Sequence, residues 1–123
     1  MNNRIFVFAS NMSGRHGAGS ALEARLHHGA IYGKSEGLQG RSYAIPTKDA
    51  KLQVLSLEQI KKYVDQFVWY TREHPELEFD VVKIGCGLAG YRPEQIVLLF
   101  SDVPSNVHLP DGWLDTIMWS NQI

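Results

Sequence analysis

Two glycine-dense loops and one lysine are the residues of this chain whose types and spacing suit ligand chemistry. The later loop, Gly85-Cys86-Gly87-Leu88-Ala89-Gly90-Tyr91, follows the β-branched run Val81-Val82-Lys83-Ile84 and precedes Pro93, a residue suited to the first turn of a helix. Glycine removes the side chain where a backbone must turn sharply or approach another group closely. A strand–loop–helix of this kind aims free N–H groups, backed by a helix dipole, at whatever sits above the sheet edge. Its ligand would be a phosphate or another anion. Taken alone, Gly-x-Gly-x-x-Gly is equally compatible with a tight turn that holds nothing. The dinucleotide fingerprint is a poorer fit, because that motif opens a first βαβ unit with an acid about 20 residues on. Here the loop comes late, and Asp102-Val103-Pro104-Ser105-Asn106 reads as loop.

The earlier loop, Ser10 to Gly19, is also polar and rich in glycine. Asn11 either bonds its own backbone, as asparagine does in turns, or faces a ligand. Arg15 and His16 are residue types that contact phosphate, although solvated loop positions are the commoner outcome. Lys48 lies in Thr47-Lys48-Asp49, where a lysine without further context reads as a solvated surface charge. Cys86 stands between two glycines at a strand end and reads as a small buried hydrophobe, not a nucleophile. His27 and His28 are adjacent, so on a helix they point about 100° apart and form no metal pair.

The elements that must position these residues alternate. Ile5–Ala9 is nearly continuous in apolar residues and reads as a strand buried on both faces. Helical spacing of Ala18, Ala21, Leu22 and Leu26 follows, ending at Gly29. Ala30–Gly33 reads as a short strand, Lys34–Gly40 as a turn, and Arg41–Pro46 as a strand that Pro46 ends. Ser56-Leu57-Glu58-Gln59 is a capping box. It opens a long helix whose inner face is Ile60, Val64, Phe67, Val68 and Thr71, with Tyr63, Trp69 and Tyr70 as packing and rim residues. Pro93–Phe100 reads as a further helix, Val103–Gly112 as loop, and Trp113–Trp119 as a last strand. This alternation predicts an α/β fold with a mostly parallel sheet and helices on both faces. Ligands of such sheets sit beyond the carboxyl ends of the strands. Both glycine loops and Thr47-Lys48-Asp49 fall at that rim.

With 123 residues the chain fits a single domain spanning 1–123. A net charge of −1 without a basic run gives no support for broad electrostatic binding to nucleic acid or to a membrane. One cysteine excludes an internal disulfide and fits a reducing cytosol, and no apolar run approaches a membrane span. The expected location is cytoplasmic.

Together the three rim segments resemble a macrodomain, the α/β/α module that binds ADP-ribose. Gly17-Ala18-Gly19-Ser20-Ala21 resembles the family's first glycine loop, Ile84-Gly85-Cys86-Gly87-Leu88 its second, phosphate-wrapping loop, and Tyr43-Ala44-Ile45-Pro46-Thr47-Lys48 the lysine-bearing strand of one branch. That branch holds terminal ADP-ribose glycohydrolases and antitoxins that remove ADP-ribose from DNA. The whole chain also resembles short uncharacterised bacteriophage proteins, which would place it in a host cytoplasm. The resemblance implies a three-layer fold over a mostly parallel or mixed sheet, and ADP-ribose or a related nucleotide as ligand. Its implied ligand-binding residues are Asn11, Gly17, Ala18, Gly19, Ser20, Thr47, Gly85, Cys86, Gly87, Leu88, Ala89, Gly90 and Tyr91. It makes Lys48 the catalytic residue, attacking the anomeric carbon of the ribose without metal or cofactor. An ADP-ribosylated protein or nucleic acid is the implied partner. The branch carries an aspartate where this chain has Ala89, with Asp49 and Glu36 as candidate substitutes. The alternative is a non-catalytic reader or sponge of ADP-ribose or NAD-derived signals.

Overall fold

The computed structural model describes residues 4–83 and 90–120. A five-stranded mixed sheet runs through its centre in the order β2-β3-β1-β4-β5. The strands are β1 (Ile5–Asn11), β2 (Gly37–Gln39), β3 (Ser42–Lys48), β4 (Phe79–Val81) and β5 (Val107–His108), with helices α1 (Gly19–His27), α2 (Leu57–Glu73), α3 (Pro93–Val97) and α4 (Trp113–Ser120). β1 pairs parallel with β3 and with β4, β4 pairs parallel with β5, and only β2 runs antiparallel. β1, β3 and β4 therefore end at one edge.

β1 is central, so its alternate side chains feed two cores. Ile5 and Val7 join the larger one, where α2 buries Ile60, Val64, Phe67, Val68 and Thr71 as its spacing predicts. Phe67 is fully buried, with its ring 5.0 Å from Tyr43 and 5.6 Å from Phe79. Phe6 and Phe8 face the opposite side, where α1 supplies only Ala21 and Ala24. Small residues let α1 lie close to the sheet. The capping box forms: the Ser56 hydroxyl accepts from Gln59 N–H at 3.1 Å, and Gln59 Oε1 accepts from Ser56 N–H at 3.0 Å.

Four sequence expectations are corrected. Residues 30–33 are not a strand. Ile31 N–H donates instead to Oε1 of buried Gln39 at 2.8 Å, and Gln39 Nε2 donates to the carbonyl of the next residue on, Lys34, at 3.1 Å. The edge strand forms later, at β2. Nor does Pro46 end β3, which continues to Lys48. Pro46 lies past Ala44, the last residue paired to β2, and beside a register shift at Ser10/Asn11, which is where a sheet tolerates proline. The segment 113–119 is helical. Trp113 and Ile117 are buried while Leu114 and Met118 are exposed, which is the four-residue spacing of one helix face. Within the predicted loop 103–112, Val107–His108 adds a short parallel edge to β4. Buried Asn106 braces it, donating through Nδ2 to the carbonyls of Thr71, His74 and Leu77. No helix among the described residues is long and apolar enough to cross a membrane.

Candidate functional site

The carboxyl end of β1 and that of β3 meet at a register pair, Asn11 with Lys48. Lys48 is held from both sides. Its carbonyl accepts from Met12 N–H at 2.9 Å, and its other flank bridges to Val54. Residues 49–53 form the turn that makes this bridge possible. Asp49 Oδ1 accepts from the N–H groups of Lys51 (2.8 Å) and Gln53 (2.9 Å), and Asp49 N–H donates to the Gln53 carbonyl at 2.8 Å.

Asn11 fills the loop-holding role and also lines the neighbouring cavity. Its Oδ1 accepts from the Ser13 hydroxyl (2.6 Å) and from Arg15 N–H (3.1 Å), while its Nδ2 donates to the Arg15 carbonyl at 2.8 Å. These bonds fold residues 11–15 into a knot. The turn is locked further by Gly33 N–H, which donates to the Gly14 carbonyl at 2.8 Å. α1 then starts with Ala18 as N-cap in an extended conformation, with no side-chain acceptor and no acid in its first turn. The first-turn N–H groups of α1 thus lack a capping side chain. The Ser20 hydroxyl is turned back to accept from Ala9 N–H at 3.3 Å, and that of buried Thr47 donates to the Ser10 carbonyl at 3.4 Å.

A cavity of about 310 Å³ opens between these parts, lined by Ala9, Ser10, Asn11, Arg15, Gly17, Ala18, Ser20, Ala21, Thr47, Lys48 and Leu52. Six predicted residues, Asn11, Gly17, Ala18, Ser20, Thr47 and Lys48, come together there, with Gly19 adjacent as the first residue of α1. Among the described residues two cations line the cavity and no carboxylate does. Among the described residues neither the Lys48 ammonium nor the Arg15 guanidinium has an ion-pair partner. At Gly17 a Cβ would meet nothing within 4 Å, so it would project into open space. The arrangement is electropositive and offers main-chain donors. It suits an anion.

Other predicted residues fall elsewhere. Gly90 and Tyr91 are outside the cavity lining. Tyr91 braces the entry to α2, its hydroxyl donating to the Leu55 carbonyl at 2.6 Å. Gly85, Cys86, Gly87, Leu88 and Ala89 lie outside the described residues, and with them the second glycine loop. Neither candidate acid lines the cavity. Asp49 is engaged with its turn, and exposed Glu36 lies toward Tyr43, whose phenol is pushed up to about 12 by burial and by that carboxylate. Sequence reasoning missed Leu52, yet a signal was present: an aspartate directly after Lys48 favours a turn that returns the chain beside it.

His16, in the middle of the first loop, is fully buried, and neither ring nitrogen has a hydrogen-bond partner among the described residues. Its ring lies 5.4 Å from that of Phe8 and 6.1 Å from that of Tyr32. Burial holds its pKa below the ordinary imidazole value, assisted by the Arg25 charge and opposed by the nearby Lys34 carbonyl, which lies outside bonding geometry. The unfolded chain therefore takes up a proton below about pH 6.5 that the folded chain refuses. Stability should be complete above that pH and fall below it, by up to about 1.4 kcal/mol per pH unit, until the folded pKa is reached. Urea midpoints from pH 7.5 to 5 should show this slope in the wild type and a flatter one in His16→Leu. Equal slopes would remove His16 as the cause.

No protein-family model and no curated protein matches the chain. Two solved structures from Bacteroides thetaiotaomicron share its architecture. One, a protein of unknown function, is 15% identical over 89% of this chain and 88% of its own, with a TM-score of 0.57. The other, a structural-genomics target, is 16% identical over 89% and 90%, with a TM-score of 0.55. At such identity these likenesses establish the α/β fold alone.

Proposed function

We propose that the cleft binds ADP-ribose or a related nucleotide diphosphate and that Lys48 releases ADP-ribose from a macromolecular or small-molecule adduct. One observation carries the binding part: an uncapped helix start and Arg15 converge on one cavity that no carboxylate lines among the described residues. A diphosphate is the ligand such a donor set accommodates. The hydrolase part rests on the position of Lys48 and on the macrodomain resemblance. In the implied reaction the Lys48 Nζ gives up a proton and bonds to the anomeric carbon as the bond to the acceptor breaks, and the acceptor leaves with a proton. Ring opening gives a protonated imine, which water cleaves to return the lysine and ADP-ribose.

A second reading, a non-catalytic reader of ADP-ribose, is favoured by a different observation. Asp49 is held by its turn, and among the described residues no acid lines the cavity to protonate a leaving group. Both readings predict binding. ADP-ribose at 100 times its Kd should add roughly 2.7 kcal/mol, a rise in Tm of the order of 10 °C. The check is a thermal melt with ADP-ribose, AMP and pyrophosphate. No shift with any of them would end both readings.

A further inference from the structure

Leu52 stands apart from the rest of the cleft in two respects. It is the one bulky apolar side chain lining the cavity among the described residues, the other apolar members being alanines. It is also the one non-glycine residue described with positive φ, at +65°. The left-handed region is unfavourable for a residue with a Cβ, and a γ-branched apolar side chain gains nothing local there. Nor does burial compensate, since Leu52 is 47% exposed. Its conformation is imposed by the turn. Leu52 N–H donates to the Asp49 carbonyl at 3.0 Å, while Asp49 Oδ1 binds the N–H groups on either side, those of Lys51 and Gln53. A strained, half-exposed leucine braced at a cavity rim is the pattern of a ligand clamp.

Resting on the nucleotide reading of the cleft, we propose that Leu52 is its specificity-determining clamp, packing on the ring face of a nucleoside while the cationic side holds the diphosphate. The polar lining and the helix start serve the anion, and Leu52 offers the one bulky apolar side chain, among the described residues, to a sugar or base. Ligands with a ring are thereby favoured over bare phosphates. The strain is a cost the free protein carries for that contact.

Titration calorimetry with ADP-ribose and with inorganic pyrophosphate, on the wild type, Leu52→Ala, Leu52→Met and Leu52→Gly, tests this. Losing the contact should weaken ADP-ribose binding roughly five- to tenfold in the alanine and glycine variants and leave the methionine variant near wild type. Pyrophosphate affinity should be unchanged throughout, a separation that a merely structural role would not produce. Glycine adopts positive φ without penalty, so Leu52→Gly should melt about 2–5 °C above the wild type although it binds worse. Equal losses for both ligands, or no loss for either, would overturn the clamp. So would a wild type that binds pyrophosphate but not ADP-ribose, or a glycine variant that melts lower. A wild type that binds neither removes the nucleotide reading itself, and the clamp with it.

Discussion

Replacing Lys48 by alanine should abolish release of ADP-ribose, by roughly 10³-fold or more, while its affinity changes by less than about threefold. On the proposed hydrolase reading the amine of Lys48 would act on the anomeric carbon only during reaction, whereas ground-state affinity would come mainly from main-chain donors and ring contacts that the substitution leaves in place. Lys48 is fixed by its backbone, through the Met12 bond and the Val54 bridge, so removing its side chain should not move the strand end. Loss of kcat without loss of affinity is the mark of an interaction made only in the transition state. Borohydride reduction during turnover gives a second measurement, because an imine at Lys48 becomes a stable adduct visible as added mass on that residue. A non-catalytic reader would behave in the opposite way. It would trap no adduct, release nothing from DNA-, protein- or small-molecule-linked ADP-ribose, and lose affinity when Lys48 and its charge are removed.

The largest effect expected on folding is at Gly14. Its φ is +72°, and a Cβ there would overlap the Gly33 main chain, lying 2.6 Å from the Gly33 Cα. Gly14→Ala should therefore destabilise by roughly 2–4 kcal/mol, combining left-handed strain with an overlap against backbone that cannot rotate away. Gly33 separates the two causes. It also has positive φ, at +96°, but a Cβ there meets nothing within 4 Å. Gly33→Ala should cost only the conformational part, about 1–2 kcal/mol. Urea midpoints of the two variants measure the difference, and equal values would mean that the close crossing of these loops contributes nothing. Because Gly14 lies in the loop that carries Arg15 and Gly17 to the cavity, ligand affinity should fall with it.

The long helix and the parallel core were legible in the sequence because their signals are local and repeated. In α2, four apolar positions and Thr71 at helical spacing follow a capping box, and every one of them is buried. Ile5–Ala9 reads as a central strand because it is apolar on both faces, and the two cores on either side of β1 use both. The meeting of the first glycine loop with Thr47-Lys48 could be argued as well, since parallel strands bring their carboxyl ends to one edge.

What failed was decided by partners distant in the chain. Residues 30–33 read as a short strand, but Ile31 N–H is taken by the buried Gln39 amide, and the N–H groups of Ala30 and Gly33 by the carbonyls of Ala24 and Gly14. Residues 113–119 are apolar enough for either structure, and the burial of Trp113 and Ile117 against the α2 side of the sheet selects the helix. Pro46 looked like a stop, yet a proline is tolerated where the neighbouring strand has already ended. The same holds within the site. From the sequence Asn11 had two possible roles, and only the folded loop, with Arg15 and Ser13 in reach of its amide, makes it a brace. By itself the sequence determined residue types and the elements that carry them. The strained placement of Leu52 beside Lys48 and the burial of His16 without a partner came from the tertiary structure alone, because both depend on where separate segments of backbone cross.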